Sequence, residues 1–402
     1  ARAYAAVAIA SVLLDTYASL SPEEHQRRVA YTRKALQLSP DLGEAHIANA
    51  TLLQSMRDIA GANREYARGI ELAPGYANGF MWYAEFLMFE LGEVEQSLRM
   101  YDRALALDPL SPIVRNEHAN GLALAGRVDA ALAEIAALLE DHPTLAPAHG
   151  LRARILESQG DLVGALRALR AQQQHDPDAV GRGLHRCYTL AAFGALDEAG
   201  SCIEAYKERF PAKEDALGAQ VSLTALRADF ATALALLMQR PHPDQWERAY
   251  LLMANGRDAE ALALLKTLVP ELFDTPAERA TANFPGDIVM VGSTLLRTGA
   301  TAHGQALLRR ALQVNARYQH GQLHLGRGWW DVVARAQLGD IPGACVALKA
   351  AVDSGFYRDI PELDADPLAA PVRGDPCYSQ VLAPARAKAA AQVAAARKAG
   401  LL

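Results

Sequence analysis

The sequence predicts an all-α chain built as an array of helical hairpins. Three observations predict this class: prolines that recur at a near-constant interval, a glycine at a fixed distance before them, and alanines where two helices would meet. The prolines follow one another at intervals of 34, 35, 34, 34 and 34 residues; they are Pro40, Pro74, Pro109, Pro143, Pro177 and Pro211. A fixed period of roughly 20 to 50 residues is typical of repeat proteins, in which each unit packs on its neighbours.

The segment that ends at Pro109 shows the pattern within one period. Residues 78–90 are apolar or aromatic at most positions, and Gly92 then interrupts the run. Residues 94–107 form a second run with apolar side chains at helical spacing. Proline cannot continue a helix, and it biases the residue before it away from helical angles. We therefore predict two helices, joined by a tight turn at the glycine and ended by the proline.

The other periods repeat this order. Gly126, Gly160 and Gly194 lie 17 residues before the next proline of the series, as Gly92 does. Small side chains recur where the two helices of a hairpin must touch, because a bulky residue there would force them apart. These positions are Ala50, Ala62, Ala104, Ala119, Ala131, Ala153, Ala165 and Ala199.

Further hairpins are predicted outside the proline series. A first pair covers residues 2–17 and 22–38, joined by a longer loop at 19–21. After Pro211 the predicted turns are Arg227-Ala228-Asp229, Asn255-Gly256-Arg257, Thr298-Gly299 and Leu338-Gly339-Asp340. Residues 269–284 are rich in proline and threonine and interrupt the pattern as an irregular insertion.

In period, glycine turn, alanine positions and closing proline, the chain resembles the tetratricopeptide repeat (TPR) family. Gly69, Ser97 and Cys187 depart from the small residues that the family prefers. The resemblance implies an all-α, right-handed α-solenoid of about ten TPR-like hairpins over residues 1–354, with the clearest repeats at 41–211. Residues 355–402 are then expected to form a C-terminal capping segment and helix.

Composition narrows the possible functions. The 402 residues carry a net charge of −6 and contain no block of lysine or arginine, which disfavours nucleic-acid binding. No apolar stretch approaches the roughly 18 residues of a membrane span. No phosphate-binding loop, dinucleotide fingerprint, serine-hydrolase elbow or zinc-protease motif is present, so we predict no enzyme and no cofactor. The chain begins at Ala1, within a predicted repeat helix, so we expect a fragment or a processed protein, either cytoplasmic or periplasmic.

The cysteines and one histidine pair are the remaining candidates for special chemistry. The four cysteines, Cys187, Cys202, Cys345 and Cys377, match no zinc-binding spacing. Two disulfides and four small buried residues are both compatible with the sequence, and we favour the second. His320 and His324 are four residues apart, but the nearby glycines oppose a regular helix and no third ligand is evident, so no metal site is predicted.

The TPR resemblance implies that the first helix of each hairpin lines a concave groove that holds an extended peptide or a partner helix. Trp82, Phe86 and Phe89 have the spacing of one helix face, and so does the pair Asn116 and Asn120. Aromatic and arginine side chains are frequent at binding hot spots. The alternative is that the aromatic residues fill the interior. The full set of candidate groove residues is Trp82, Phe86, Phe89, Asn116, Asn120, Arg154, Glu157, Tyr188, Trp246, Tyr250, Arg297 and Trp329.

Residues 351–382 resemble the ends of TPR regions in bacterial signalling proteins. These include winged-helix regulators of the CadC type and cyclases or kinases with TPR arrays. The resemblance is carried by Asp366-Pro367-Leu368 and by Arg373-Gly374-Asp375-Pro376. We therefore expect a scaffold that binds a peptide or partner protein in the groove. The alternative is a ligand-sensing domain of such a regulator, which would bind a small molecule or a peptide.

Overall fold

The computed structural model describes residues 1–17, 22–56, 58–177, 182–211, 214–277, 285–316, 327–353 and 360–402. These residues form helices, turns and connecting segments, with no strand among them. The all-α helical-repeat architecture predicted from the sequence is confirmed. The chain divides into two compact units, Ala1–His142 and Pro143–Leu402.

The part of the N-terminal unit that the structure describes forms four hairpins. Their helices are α1 (Arg2–Tyr17), α2 (Pro22–Leu38), α3 (Gly43–Ser55), α4 (Ile59–Leu72), α5 (Ala77–Phe86), α6 (Val94–Leu107), α7 (Pro112–Leu124) and α8 (Val128–Asp141). A π-helical turn, Leu87–Leu91, continues α5. Consecutive helices pack in pairs, beginning with α1 and α2.

The described residues of the C-terminal unit form six hairpins, an interposed short helix and a non-repeat tail. The hairpin helices are α9 (Ala146–Ser158), α10 (Leu162–His175), α11 (Arg182–Ala192), α12 (Leu196–Arg209), α13 (Asp215–Leu226), α14 (Phe230–Leu237), α15 (Gln245–Ala254), α16 (Asp258–Leu268), α18 (Pro285–Arg297), α19 (Thr301–Ala316), α20 (Arg327–Gln337) and α21 (Ile341–Asp353). The short helix α17 (Glu271–Asp274) lies in the predicted insertion, whose residues 278–284 are outside the described part. The predicted histidine pair, His320 and His324, is also outside it.

Glycine geometry explains the turns between paired helices. Gly92, Gly126, Gly160 and Gly194 have φ angles of 69°, 78°, 74° and 84°, in the left-handed region that glycine enters without a steric penalty. At the tight turn 227–229 the left-handed residue is Ala228, with φ 59°. Among the described residues, Ala228 is the only non-glycine residue with a positive φ. An L-residue in this conformation costs about 1–2 kcal/mol, which identifies Ala228 as a strained position.

The extra residue of the 35-residue interval lies at the end of α5. The π-helical turn takes up one residue more than an α-helical turn, and Gly92 follows it directly. The backbone N–H of Glu93 donates to the carbonyl of Leu87 at 2.8 Å and closes the turn. Such turns inside helices are frequent at functional sites.

The alanine positions are the contacts between helices. All eight alanines named above have 0% of their surface exposed. The three residues that depart from the TPR pattern, Gly69, Ser97 and Cys187, are each accommodated in a different way. Gly69 leaves room for Ile47, since a Cβ added at Gly69 would lie 2.5 Å from the Ile47 Cδ1. Ser97 is buried, and its hydroxyl donates to the carbonyl of Ala84 at 2.7 Å. Cys187 is buried and bonded to Cys202.

Both cysteine pairs form disulfide bonds, so the structure selects the alternative that we did not favour. The Cys187–Cys202 bond joins the two helices of one hairpin, α11 and α12. The Cys345–Cys377 bond joins α21 of the last hairpin to the tail. None of the described helices is long and apolar enough to cross a membrane.

The tail comprises α22 (Ile360–Ala365), a 3₁₀ turn (Pro367–Ala369), α23 (Ala370–Arg373) and α24 (Pro376–Lys398). Within the C-terminal unit, α22 packs against α11 and α13, the 3₁₀ turn against α20, and α24 against both α21 and α10. The tail therefore turns back across hairpins that are distant in sequence.

The two Asp-Pro dipeptides of the tail begin helical segments. The Asp366 carboxylate accepts from the Leu368 N–H at 2.8 Å, and the Asp375 carboxylate accepts from the Cys377 N–H at 2.9 Å. A capping aspartate followed by proline suits the first turn of a helix, where a missing N–H is tolerated. The Arg373 guanidinium donates to the backbone carbonyls of Leu363 and Asp366. The residues that carry the tail resemblance therefore hold the tail's own conformation.

Candidate functional site

The three predicted aromatic residues of α5 and its π turn lie in different environments. Phe86 is 0% exposed, with its ring centroid 5.1 Å from that of Tyr66. Trp82 is half-buried, and its ring meets that of Tyr76 edge-on at 6.3 Å. Phe89 is 41% exposed on the π turn. The surface that an incoming molecule can contact is therefore provided by Trp82 and Phe89, whereas Phe86 belongs to the core.

The predicted asparagines of α7 converge on a glutamate that was not predicted. The side-chain amide of Asn116 donates to one carboxylate oxygen of Glu117 at 3.0 Å, and that of Asn120 donates to the other at 3.2 Å. Asn116 is 8% exposed, and its Oδ1 has no hydrogen-bond partner. A buried polar atom without a partner costs about 1–3 kcal/mol, so a donor that reached this oxygen would remove an unfavourable contribution.

Two further groups, on α5 and α6, complete this polar cluster. Burial and the nearby Glu117 carboxylate raise the pKa of Glu85 to about 8, so Glu85 keeps a proton at neutral pH. The hydroxyl of Tyr101 is fully buried and has no hydrogen-bond partner. Burial, together with the charges of Glu85 and Glu117, raises its pKa. We define the polar cluster as Glu85, Tyr101, Asn116, Glu117 and Asn120.

In the C-terminal unit, Glu157 connects α9 to α11. It is buried, accepts from the Thr189 hydroxyl at 2.6 Å, and lies 3.1 Å from the His185 Nε2. Arg154, one turn earlier on α9, is exposed. The two predicted residues therefore differ in role, because Glu157 holds two first helices together and Arg154 faces solvent.

Tyr188 and Tyr250 are brought together beside the tail. They line a cavity of about 330 Å³ whose walls come from α11, α13, α15 and α22. The other lining residues include Ser222, Leu226, Glu247, Leu251, Pro361 and Glu362. Trp246, one turn before Tyr250 on α15, is half-buried and packs against the core of this unit.

Tyr250 also holds the tail. Its hydroxyl donates to Asp366 Oδ1 at 3.3 Å. Burial raises the pKa of Asp366 to about 6, although the Leu368 N–H, the Tyr250 hydroxyl and the Arg373 guanidinium favour its charged form. Desolvation therefore outweighs these three interactions. Tyr250 faces the chain's own tail and part of the cavity.

The last two predicted residues are engaged within the unit. Arg297 lies 2.8 Å from the Asp258 carboxylate and donates to the carbonyl of Met253 at 3.1 Å. Trp329 is buried in the hydrophobic core. The Arg297 guanidinium is therefore engaged by groups of its own unit, and the Trp329 ring is closed to solvent.

Comparison with known proteins gives limited matches. No protein-family model matches the chain. A TPR repeat-containing thioredoxin, TTL4 of Arabidopsis thaliana, is 33% identical over 104 residues, which is 26% of this chain and 15% of that protein. The chain therefore matches only a small part of the relative's length.

Two solved structures illustrate the structural similarities. PilW, described as a widely conserved type IV pilus biogenesis factor, is 20% identical with a TM-score of 0.44, over 54% of this chain and 96% of that one. A human IFIT1 dimer with m7Gppp-AAAA is 14% identical with a TM-score of 0.44, over 74% of this chain and 69% of that one.

The repeat itself identifies the architecture. The period of about 34 residues, the left-handed glycine turns, the buried alanines and the closing prolines occur together in consecutive hairpins. The 104-residue match is to a protein that carries the same repeat. In these features the chain is similar to tetratricopeptide repeat proteins.

Proposed function

We propose that this chain is a protein-interaction scaffold whose N-terminal unit binds an extended peptide of a partner protein across α5 and α7. One observation carries the proposal: exposed aromatic surface on the first helix α5 and its π turn lies beside a polar cluster that α5, α6 and the next first helix, α7, build together and that contains oxygens without partners. Phe89 and Trp82 supply the aromatic surface. Asn116 Oδ1 and the Tyr101 hydroxyl are the oxygens without partners.

A peptide suits both parts of this surface. Its backbone N–H groups can donate to Asn116 Oδ1, which relieves the cost of an unsatisfied buried oxygen. Its apolar side chains can contact Phe89 and Trp82, and aromatic residues dominate many interfaces. A repeat scaffold presents such residues on fixed helices, so little ordering of the protein accompanies binding.

The C-terminal unit offers an internal parallel. There a non-repeat segment, the tail, packs on the first helices α11, α13 and α20. First helices of this chain therefore accommodate a polypeptide that is not itself a repeat. The described residues of the N-terminal unit are hairpins and their connections, and they include no such segment.

Affinity capture from an extract of the source organism tests the scaffold. The full chain is used beside a Phe89→Ala/Asn120→Ala variant and a Val346→Ala control, since Val346 is exposed on α21 of the other unit. We expect the wild type and the control to retain a protein that the double variant loses. Overlapping peptides of that protein should then contain one that binds the wild type directly.

Circular dichroism must show matched helicity for the three baits. Equal retention by the double variant would place the partner elsewhere on the chain and overturn the proposed site. Failure of every overlapping peptide to bind would overturn recognition of an extended segment.

The cavity beside the tail favours a second candidate function, the sensing of a small molecule. Its volume of about 330 Å³ lies within the range of small-ligand sites, and its walls combine tyrosine rings, apolar side chains and Glu247. A thermal-shift screen with small metabolites should reveal a compound that stabilises the wild type and not an Ala191→Phe variant, whose added ring occupies the cavity. A screen without such a compound would count against sensing at this place.

A further inference from the structure

The first helices of the second, third and fourth hairpins of the N-terminal unit carry an excess of negative charge. Four glutamates and one arginine lie on α3, α5 with its π turn, and α7. The arginine, Arg115, faces α8, where it lies 3.2 Å from Glu134 and 2.6 Å from Asp141. Glu44 lies 3.6 Å from Arg2 of α1. Among the described residues, no cationic side chain forms an ion pair with Glu85 or Glu117.

The polar cluster joins these two glutamates to the buried oxygens without partners. Both amide groups of Asn116 and Asn120 already donate to Glu117, which leaves Asn116 Oδ1 as an acceptor. Tyr101 packs against α7, since a Cβ added at Gly121 would lie 2.7 Å from its ring. The Tyr101 hydroxyl lies near both glutamates, whose charges raise its pKa. Three helices therefore bring oxygen atoms to one region.

The chemistry of these atoms selects the ligand. Carboxylate, amide and phenol oxygens can all accept hydrogen bonds. The lysine ammonium has three N–H donors and the arginine guanidinium five, and neither has an acceptor. Hydrogen bonds between a cation and a carboxylate are about twice as strong as neutral ones. An acidic peptide would instead place a negative charge beside the Glu117 carboxylate and would disfavour the ionised form of Glu85 further.

We infer that the peptide bound by the N-terminal unit is basic, and that one of its lysine or arginine side chains lies between Glu85 of α5 and Glu117 of α7. This inference rests on the proposed function and specifies the chemistry of its ligand. The cationic group would donate to Glu85, Glu117 and Asn116 Oδ1, while Trp82 and Phe89 contact neighbouring apolar parts of the peptide.

The proposed contact with Glu85 predicts that peptide binding depends on pH. The titratable groups that face Glu85 are Tyr66 of α4, Tyr101 of α6 and Glu117 of α7. Glu85, with a pKa of about 8, is protonated at neutral pH without a ligand, and a bound cation favours its ionised form. Binding therefore releases a proton, so the affinity should rise between pH 6 and about 8 and then level off.

A positional-scanning library of acetylated 12-residue peptides tests the ligand class with the full chain. One position is fixed as arginine, citrulline, alanine or glutamate, and the other positions vary. We expect the arginine pool to be enriched. A selected arginine peptide should bind about tenfold more tightly than its citrulline counterpart, because citrulline keeps the shape and removes the charge.

Two variants locate the effect. Glu85→Gln/Glu117→Gln should bind the arginine and citrulline peptides equally and should lose the pH dependence. Glu140→Gln, on the exposed surface of α8, removes a similar charge and should retain both. Circular dichroism checks that each variant keeps its helical content, and the citrulline comparison on the wild type needs no variant at all.

The outcomes separate the inference from the proposed function. If neutral or acidic peptides are enriched and Phe89→Ala/Asn120→Ala abolishes their binding, the basic-ligand inference is overturned and the peptide site stands. If no pool is enriched, the proposed function fails, and the inference fails with it. Arginine selectivity that persists in Glu85→Gln/Glu117→Gln would also overturn the placement of the cation.

Discussion

Replacement of Ala131 by leucine should lower the free energy of unfolding by about 2 kcal/mol. Ala131 is fully buried on α8, which packs on α7 of the same hairpin. The larger side chain has no space there, so it must displace the neighbouring helix or adopt an unfavourable rotamer. Urea unfolding followed by far-UV circular dichroism measures the loss.

Ala137→Leu is the matched control for this substitution. Ala137 is on the same helix but is exposed, so the same change in side chain should alter stability by less than about 0.5 kcal/mol. Equal effects of the two substitutions would contradict the assignment of Ala131 to the contact between the helices. The comparison removes helix propensity from the result, since both variants exchange alanine for leucine within α8.

The features that sequence reasoning predicted well are those that each repeat specifies locally. A left-handed turn needs glycine and a close helix contact needs alanine, so both leave a residue type at a fixed position. The four glycines from Gly92 to Gly194 and the eight alanines follow this rule throughout. The tight turn at Ala228 was also predicted, although its left-handed alanine was not.

The position of the tail could not be predicted from the repeat pattern. Its contacts with α10 and α11 join residues about two hundred positions apart, for example the Arg186 guanidinium and the Leu401 carbonyl at 2.9 Å. A repeat period carries information about neighbouring repeats and none about a segment outside the period. Asp366 and Arg373 fix the tail, but they were selected only because the segments that contain them resemble segments of other TPR proteins.

The sequence predicted only some residues of the candidate site, and the reason is physical. A first helix contacts its partner and both neighbouring hairpins, so aromatic residues at helical spacing can lie in the core or on the surface. Phe86 and Phe89 differ in this way, and the π turn changes the spacing between them. The sequence analysis selected the aromatic residues around Glu85 and the asparagines beside Glu117. It did not select the two glutamates themselves. The charge count of the first helices would have found them.

Removal of the Cys345–Cys377 disulfide by Cys377→Ser should destabilise the tail by about 4 kcal/mol. The bond closes a segment of 32 residues, and a cross-link of this length restricts the unfolded chain by roughly that amount. On the folded side it holds the start of α24 against α21. Hydrogen exchange read by mass spectrometry should show faster exchange in residues 360–402, and thermal unfolding should begin at a lower temperature.

Cys202→Ser is the control, since the Cys187–Cys202 bond spans 15 residues within one hairpin. We expect its exchange to increase in α11 and α12, with a smaller effect in α22 and α23. The tail has other attachments: Gln337 donates to the Leu368 carbonyl at 2.7 Å, and Arg170 donates to the Gly400 carbonyl at 2.9 Å. Unchanged exchange in Cys377→Ser would mean that these contacts alone hold the tail. Faster exchange confined to residues 360–402 would mean that the first helices beneath the tail keep their structure when it loosens, so that Tyr188 and Tyr250 become accessible on an intact surface.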